Sequence, residues 1–339
     1  MRVRLKDIAK DLNLSKMTIS KVLRGQMDIS DATKARVLKR VKELNYIPNI
    51  SASSLRTGQT KTVGLILPSM GTSYLADLTT GVSDAVKSQG YSLIVSCSQE
   101  DVDIEQRQVE VFLSMQVDAL MLVSPQETGG FFEQMKGAKE RPVIFIGSRP
   151  SGIPGRLVGI QEEEVGQIAC EHLIESGSKR IAYIRGPHSA LCDRRCNGYR
   201  QALHRRGIAV QSDLIVEDMN PEEGEYQRGY EVMELLLARR GRPDGVMSYT
   251  DLLALGAMDA ALHHGVRIPE ELRFVGCGDD PQICRMRIPL TSIDLGGRKL
   301  GESAGKLALR AIASGNSDGA RKLMVKPKLV RRKSSEISR

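Results

Sequence analysis

The chain has 339 residues, of which 41% are hydrophobic and 27% charged, with a mean hydropathy of −0.24. This length suits two or three domains of ~100–200 residues each, and the composition predicts a soluble globular protein. No run of ~18 apolar residues occurs, so we expect no membrane span. The charged N-terminus lacks the apolar stretch of a signal peptide. Six scattered cysteines favour reduced thiols in the cytoplasm over a disulfide framework.

The positive charge is concentrated at one end of the chain. Residues 1–60 hold 13 Lys and Arg against 5 Asp and Glu, a surplus equal to the net charge of +8 of the whole chain. A basic end on a neutral body is typical of a protein that binds an anionic polymer through one small domain. A basic surface that only aids solubility is the alternative. We adopt this alternative for residues 333–339, which we expect to be a basic tail without periodic structure.

Three stripes of apolar residues at helical spacing lie within residues 1–46. The stripes are Leu5, Ile8, Ala9 and Leu12; then Ile19, Val22 and Leu23; then Val37, Val41 and Leu44. Ser15 suits the N-cap of the second helix, and Ser30 or Asp31 that of the third. Two helices joined by a short turn and closed by a third are typical of a helix-turn-helix domain. A three-helix bundle without a DNA-binding role would show the same stripes, and the positive charge favours a DNA-binding domain.

The second helix of such a domain lies in the major groove of DNA, with its N-terminal side chains at the base edges. We therefore expect Lys16, Met17 and Lys21 to contact bases, with Met17 making an apolar contact such as one with a thymine methyl group. Thr18 and Ser20 are expected on the phosphate side.

The segment LKDIAKDLNLSKMTISKVLRG, followed by ISDATKARVLKRVKELNYIPN, resembles the DNA-binding headpiece of the LacI/GalR (lactose-repressor) family of bacterial transcription regulators. The resemblance runs from Leu5 to about Leu67, and the order of later elements fits to about residue 332. It implies a hinge segment over residues 47–60 with a hinge helix at Ser51–Arg56 that folds on the operator. The resemblance also implies these further DNA contacts: Ser30, Tyr46, Asn49, Ser51, Leu55 and Arg56.

Leu55 matches the leucine that the family wedges into the central minor-groove step. An apolar wedge unstacks a base step at a cost of a few kcal/mol, which added contacts offset. A six-residue helix is too short to be stable alone in water. Its folding must therefore depend on the partner subunit and the DNA.

Short apolar runs alternate with amphipathic helical patterns from residue 61 to about 332. The runs begin at Val63, Tyr91, Ala119, Pro142, Lys179, Gly245 and Arg273. This alternation predicts parallel sheets with right-handed crossovers, and two sheets fit better than one. It resembles the two-lobed α/β fold that the repressor family shares with periplasmic sugar-binding proteins. We expect an N-lobe over 61–158 and 292–320, and a C-lobe over 159–291 and 321–332.

Motifs of common enzymes are missing from the sequence: it contains no GxGxxG, GxxxxGK[ST], HExxH or GxSxG. Cys192 and Cys196 are one helical turn apart but lack the further ligands of a zinc site, and a redox role for them is a minor alternative. His263 and His264 end a helical pattern, where they complement the helix dipole. We expect no enzyme activity, no cofactor and no metal.

Ligands of open parallel sheets bind beyond the carboxyl ends of the strands. The effector residues expected on this ground are Tyr74, Leu75, Arg149, Arg195, Thr250, Asp251 and Asp279. Arg195 is the strongest candidate, because RCNGYRQAL resembles the family's R-x-x-G-[FY] segment, whose arginine contacts the effector. The plainer alternatives are a surface arginine for Arg195, a helix cap for Asp251 and a packing role for Tyr74.

Two positions depart from the family pattern. Gly278 stands where the family places a sugar-binding aspartate, for which Asp279 is a possible substitute, and Gly147 stands where an aspartate often follows the fourth strand. Arg149, Arg194 and Arg195 remain. We therefore expect a less acidic cleft and an effector with an acid group, such as a sugar acid.

These features predict a DNA-binding transcriptional regulator of carbohydrate genes that binds a palindromic operator as a homodimer, controlled by a small effector. No leucine heptads follow residue 326, so we expect a dimer and not a larger assembly. The alternatives are a solute-binding protein for sugar transport and an enzyme fused to a DNA-binding domain. Repression versus activation, and induction versus corepression, stay open.

Overall fold

The computed structural model describes residues 3–23, 26, 28–46, 58–134, 141–153, 155–186, 189–217, 224–315, 319 and 321–336. The chain divides into two compact units, residues 1–60 and 61–339. We call them the headpiece and the body.

The headpiece contains the three expected helices, α1 (Leu5–Asp11), α2 (Lys16–Leu23) and α3 (Asp31–Glu43). The turn between α1 and α2 is made at Asn13, whose φ of 51° is left-handed and is tolerated by asparagine. The side chains buried between the helices are those of Ile8, Ala9, Ile19, Val22 and Val37.

Both serine caps of the headpiece are present. The Thr18 amide donates to Ser15 Oγ at 3.0 Å, and the Thr33 amide donates to Ser30 Oγ at 3.4 Å. Each cap satisfies an amide that the first turn of its helix leaves without a partner. Ser30, and not Asp31, is thus the N-cap of α3.

The body contains two six-stranded sheets in the part of the chain that the structure describes. Its strands are β1 (Thr62–Leu67), β2 (Ser92–Cys97), β3 (Ala119–Leu122), β4 (Val143–Ile146), β5 (Arg156–Ile160), β6 (Ile181–Ile184), β7 (Ile215–Val216), β8 (Gly245–Ser248), β9 (Arg273–Cys277), β10 (Thr291–Asp294), β11 (Lys322–Val325) and β12 (Lys328–Val330). The N-lobe sheet has the order β11-β5-β4-β3-β1-β2, with every pair parallel. The C-lobe sheet has the order β12-β10-β9-β8-β6-β7, and only the β10–β12 pair is antiparallel.

Helices cover both sheets. They are α4 (Ser73–Lys87), α5 (Val102–Ser114), α6 (Gly130–Gln134), α7 (Glu162–Glu175), α8 (Ala190–Arg205), α9 (Glu225–Ala238), α10 (Asp251–His263) and α11 (Gly297–Ala313), with short 3₁₀ turns at Ser212–Leu214 and Ile283–Arg285. The helices pack in pairs: α4 with α11, α7 with α8, and α9 with α10. The two-lobed α/β architecture expected from the alternating runs is confirmed.

The α7–α8 pair packs backbone against backbone. A β-carbon at Gly166 would lie 2.0 Å from the Arg195 carbonyl oxygen, and one at Gly198 would lie 2.0 Å from the Glu163 carbonyl oxygen. Only glycine permits this approach, which brings the side chains at the start of α7 and α8 together.

The lobe boundaries differ from those expected. The chain crosses between lobes after β5, between β10 and α11, and between β11 and β12. Residues 292–294 therefore belong to the C-lobe and residues 321–325 to the N-lobe, the reverse of the expectation. Both segments are short edge or near-edge strands, and their sequences carry no sign of which sheet they join.

The prediction of a basic tail over residues 333–339 is also wrong for residues 333–336, the part of this segment that the structure describes. Ser334 and Ser335 are fully buried in the C-lobe. Ser334 Oγ donates to the Phe274 carbonyl at 2.7 Å and accepts from the Thr291 amide at 2.8 Å. The segment thus supplies hydrogen-bond partners to backbone groups of β9 and β10. Its charged composition gave no indication of this role.

Candidate functional site

A cavity of about 700 Å³, the central cleft, lies between the two lobes. Its walls include residues that follow β1, β4, β8 and β9, so it lies at the carboxyl ends of the parallel strands. This volume is within the ~300–1,000 Å³ range of small-molecule sites.

A buried ion pair forms one wall of the central cleft. Arg195 donates from Nη2 to Glu162 Oε2 at 2.6 Å and from Nε to the same oxygen at 2.9 Å. The side chains are only 4% and 5% exposed. The guanidinium also donates to the Tyr249 carbonyl at 2.8 Å and lies 4.4 Å from the centre of the Tyr249 ring. Its charge is therefore neutralised by the protein itself.

A second polar group of the central cleft is built around Asp251, the first residue of α10. Ser292 Oγ donates to Asp251 Oδ1 at 2.6 Å, and the Asp280 amide donates to Asp251 Oδ2 at 2.6 Å. Burial raises the pKa of Asp251 to about 6, against the lowering effect of these two hydrogen bonds. A β-carbon at Gly278 would lie 3.5 Å from Asp251 Oδ2. The Asp251 carboxylate thus faces the position where the family's aspartate is missing.

The rest of the lining is largely apolar and aromatic. It includes Met70, Tyr74, Leu75, Val123, Ile146, Leu191, Leu252 and Met286.

Thr250 caps α10 through the Leu253 amide and donates to Glu225 Oε2 at 2.7 Å. Cys277 also lines the cleft, and burial raises the pKa of its thiol to about 12, so it stays protonated at neutral pH.

The described lining of the central cleft contains five carboxylates and a single arginine. They are Glu100, Glu162, Glu225, Asp251, Asp280 and Arg195. This cleft is acidic, contrary to the expectation of a less acidic one.

The structure brings together five of the seven expected effector residues. Tyr74, Leu75, Arg195, Thr250 and Asp251 line the central cleft. The alternative of a surface position for Arg195 is wrong, because this residue is 3% exposed.

Arg149 and Asp279 are absent from that lining. Arg149 lines a separate cavity together with Arg194, and its Nη1 donates to the Gly155 carbonyl at 3.0 Å. Asp279 forms an ion pair with Arg332 at 2.7 Å. The premise of the sugar-acid expectation, three arginines around the ligand, is therefore wrong.

Sequence reasoning missed Glu162, Glu225 and Tyr249, whereas Asp280 follows β9 and was among the strand-exit positions. Glu162 follows β5, a strand that the apolar runs did not indicate. Tyr249 is the first residue after β8 and directly precedes the expected pair Thr250 and Asp251, so its position at a strand end was a signal that could have identified it. The pattern gave no sign of Glu225, which begins a helix far from any strand end.

The headpiece presents the start of α2 to solvent. Met17 is 60% exposed, and Lys16 is also exposed. Thr18 and Ser20 are partly buried. Lys21 forms an ion pair with Asp28, so a base contact by Lys21 requires this pair to open.

The remaining expected DNA contacts lie nearer the end of the headpiece. Tyr46 is partly buried and packs against the headpiece core. Ser30 is exposed, and its hydroxyl caps α3. The other predicted contacts, Asn49, Ser51, Leu55 and Arg56, lie outside the described residues, as does the predicted hinge helix.

The described residues do not form a metal site or a disulfide. No group of three or more His, Cys, Asp and Glu side chains there is arranged to hold a metal ion. Cys192 and Cys196 are buried free thiols. Among the described helices, none has both the length and the apolar character that crossing a membrane requires.

The headpiece and the body each match a model of a known protein family. A family model described as bacterial regulatory proteins, lacI family, matches residues 4–49, and one described as periplasmic binding protein-like domain matches residues 170–335. The HTH-type transcriptional repressor PurR of Mannheimia succiniciproducens is 30% identical over 97% of this chain and 98% of its own length.

Two solved structures extend the comparison. A transcriptional regulator CelR–cellobiose complex is 26% identical, with a TM-score of 0.72 over 98% of this chain and 100% of that chain. The lac repressor dimer bound to operator and the anti-inducer ONPF has the same fold, with a TM-score of 0.86 at 24% identity over 99% of both chains.

A basic helix-turn-helix headpiece and a two-lobed body with a ligand-sized cleft define a DNA-binding transcriptional regulator with an effector domain. The chain belongs to the lacI family of bacterial regulatory proteins. This confirms the family expected from the headpiece sequence. Because the relatives are transcriptional regulators, the transport and enzyme alternatives are set aside.

Proposed function

We propose that this regulator acts in the cytoplasm as a homodimer on a pseudo-palindromic operator, and that a neutral, hydroxyl-rich molecule of the sugar type in the central cleft controls its affinity for DNA. The observation that carries the effector proposal is the charge of the lining. Five carboxylates face the cavity in its described lining, and the one arginine of that lining is already paired with Glu162. An anionic ligand would meet repulsion there, and the described lining offers no further cation to compensate it.

The chemistry of the lining suits hydroxyl groups. Carboxylates accept hydrogen bonds from sugar hydroxyls, and aromatic rings such as Tyr74 and Tyr249 suit the apolar face of a pyranose. The similar regulator solved with cellobiose, a neutral sugar, supports this ligand class.

At the DNA, we propose that Lys16 and Met17 contact bases. Lys21 is proposed to contact a base as well, once its ion pair with Asp28 has opened. Thr18, Ser20 and Ser30 are proposed to contact the DNA backbone. Leu55 is proposed as the wedge at the operator centre. The exposure of Met17 supports the first assignment, because a large apolar side chain that is 60% exposed has no packing role in the headpiece.

A thermal-shift screen of the full-length protein tests the effector proposal. Neutral mono- and disaccharides are compared with uronates and aldonates at the same ionic strength. A neutral ligand at 100 times its Kd is expected to stabilise the body by about 2.7 kcal/mol. Stabilisation by the acids alone would refute the argument from the acidic lining.

Selection of bound duplexes from a random pool tests the DNA proposal. The expected product is a pseudo-palindrome with half-sites about one helical turn apart, as a two-fold dimer requires. Enrichment of single, unrepeated half-sites would contradict the dimer. Titration of the selected operator with the effector then decides between induction and corepression.

A further inference from the structure

A second cavity, of about 320 Å³, lies apart from the central cleft and is also lined by both lobes. We call it the basic pocket. Its lining residues are Ser148, Arg149, Gly155, Leu157, Ala190, Arg194, Arg321 and Lys322. Of these eight described residues, four have a cationic side chain and none an acidic one, which is the opposite of the central cleft.

The cations of the basic pocket come from separate parts of the fold. Arg149 lies in the loop after β4, and Arg321 and Lys322 lie at the start of β11, so the N-lobe supplies three of them. Arg194 lies in the second turn of α8 in the C-lobe, directly before Arg195 of the central cleft. The start of α8 therefore carries neighbouring arginines that line two different cavities.

The chemistry of the basic pocket suits a doubly charged oxyanion. Guanidinium groups present planar forks of donors that match phosphate oxygens, and lysine adds a compact charge. The hydrogen bond from Arg149 Nη1 to the Gly155 carbonyl holds this guanidinium at the pocket. Ser148 adds a hydroxyl that can donate to the anion.

Charge also connects the basic pocket to the position of the lobes. Arg194 on the C-lobe repels the like charges on the N-lobe, and this repulsion opposes their approach. An anion between them converts the repulsion into attraction. Two ligands that each bind better at the same position of the lobes strengthen each other's binding reciprocally.

We propose that the basic pocket is a second ligand site, which binds a phosphate dianion and bridges the two lobes through Arg194 on one side and Arg149, Arg321 and Lys322 on the other. The phosphate is either free or part of a small phosphorylated molecule. This proposal is independent of the identity of the ligand in the central cleft.

Calorimetric titration of the full-length protein, without DNA and at constant ionic strength, tests the proposal. The probes are inorganic phosphate and glycerol phosphate, a simple monoester that lacks a sugar ring. Arg194→Ala and Lys322→Ala are each expected to weaken phosphate binding about tenfold, the equivalent of one lost charge-assisted hydrogen bond. Tighter binding of the monoester identifies an organic phosphate as the ligand, and equal binding identifies the free anion.

Matched variants separate the pocket from general charge effects. Arg200→Ala removes the same charge from the exposed face of α8, and Lys326→Ala removes an exposed lysine beyond β11; neither residue lines the pocket. Both are expected to bind phosphate like the unaltered protein. Equal affinity in all five proteins, or no binding at about 10 mM phosphate, overturns the proposal. An effect of Lys322→Ala without one of Arg194→Ala overturns the bridge between the lobes. All four side chains are exposed, so their loss leaves the core intact.

Discussion

Arg195 and Glu162 form a buried ion pair that joins the start of α8 to the start of α7, two residues after β5 ends and the chain leaves the N-lobe. The pair lies in the wall of the central cleft, and at the same time it holds two helices together. The strongest effector candidate of the sequence is thus a structural element as well.

Arg195→Ala is expected to lower the free energy of unfolding by about 3–5 kcal/mol, because it leaves the Glu162 carboxylate buried without its partner. Urea unfolding at neutral pH measures the loss. The double variant Arg195→Met with Glu162→Gln is expected to recover much of the stability, because no charge is then buried alone. A double variant that is less stable than Arg195→Ala would contradict this account.

Gly198→Ala is expected to cost about 1–3 kcal/mol of stability, because the new methyl group meets the Glu163 carbonyl oxygen at a distance of 2.0 Å. The two helices must move apart, and the hydrogen bonds between Arg195 and Glu162 lengthen. Thermal unfolding reports the first effect and effector titration the second. Asn197→Ala, on the exposed side of the same helix, is the control and is expected to change neither.

The sequence was informative wherever a buried strand is apolar along most of its length. The runs that begin at Val63, Ala119 and Gly245 correspond to β1, β3 and β8, since central parallel strands are apolar on both faces. β10 and β11 are as long as β3 and β8, but they were missed because Ile293 is the one apolar residue of β10 and β11 begins with Lys322. Their assignment to a lobe depends on pairing partners far away in the chain, which no local pattern encodes.

The same limit applies to the central cleft. Strand ends identified Asp251 and Tyr74, because the topology brings all carboxyl ends of a parallel sheet to one side. The direction of a side chain just beyond a strand depends on the local backbone, as for Asp279, whose φ of 54° is left-handed and whose carboxylate meets Arg332. The sequence alone did not show that Arg149 lies in another cavity.

Asp251 gives stability a pH dependence whose sign follows from its raised pKa. The native carboxyl has a pKa of about 6, against 3.8 in the ordinary environment, so between about pH 4 and pH 6 the native state retains a proton that the unfolded state releases. The contribution of Asp251 to stability therefore falls as pH rises through this window, by about 3 kcal/mol at most, and is constant above it.

Asp251→Asn is expected to abolish that fall. The measurement is the difference in free energy of unfolding between the two proteins from pH 4 to pH 7.5. The variant gains relative stability as pH rises, and its affinity for the effector drops because an accepting carboxylate is lost. Parallel stability curves over the whole range would show that Asp251 titrates normally.

Ser334→Ala is expected to cost about 1–3 kcal/mol, because the buried Thr291 amide loses its hydrogen-bond acceptor. Lys333→Ala changes an exposed neighbour and is expected to be neutral. Thermal unfolding of both variants distinguishes an integrated C-terminal segment from a tail. Equal melting temperatures would restore the tail interpretation for this residue.

Met17→Ala is expected to weaken operator binding by about 1–3 kcal/mol, the cost typical of one lost base contact, and to leave the headpiece folded. Its neighbour Ile19 is fully buried, so Ile19→Ala is expected to destabilise the headpiece by about 2–5 kcal/mol and to weaken binding to every DNA sequence. Fluorescence anisotropy with the selected operator and with single-base variants separates the two outcomes. If Met17 contacts a base, its loss relaxes discrimination at one position of each half-site. A uniform loss over all sequences would assign Met17 to the backbone or to the fold.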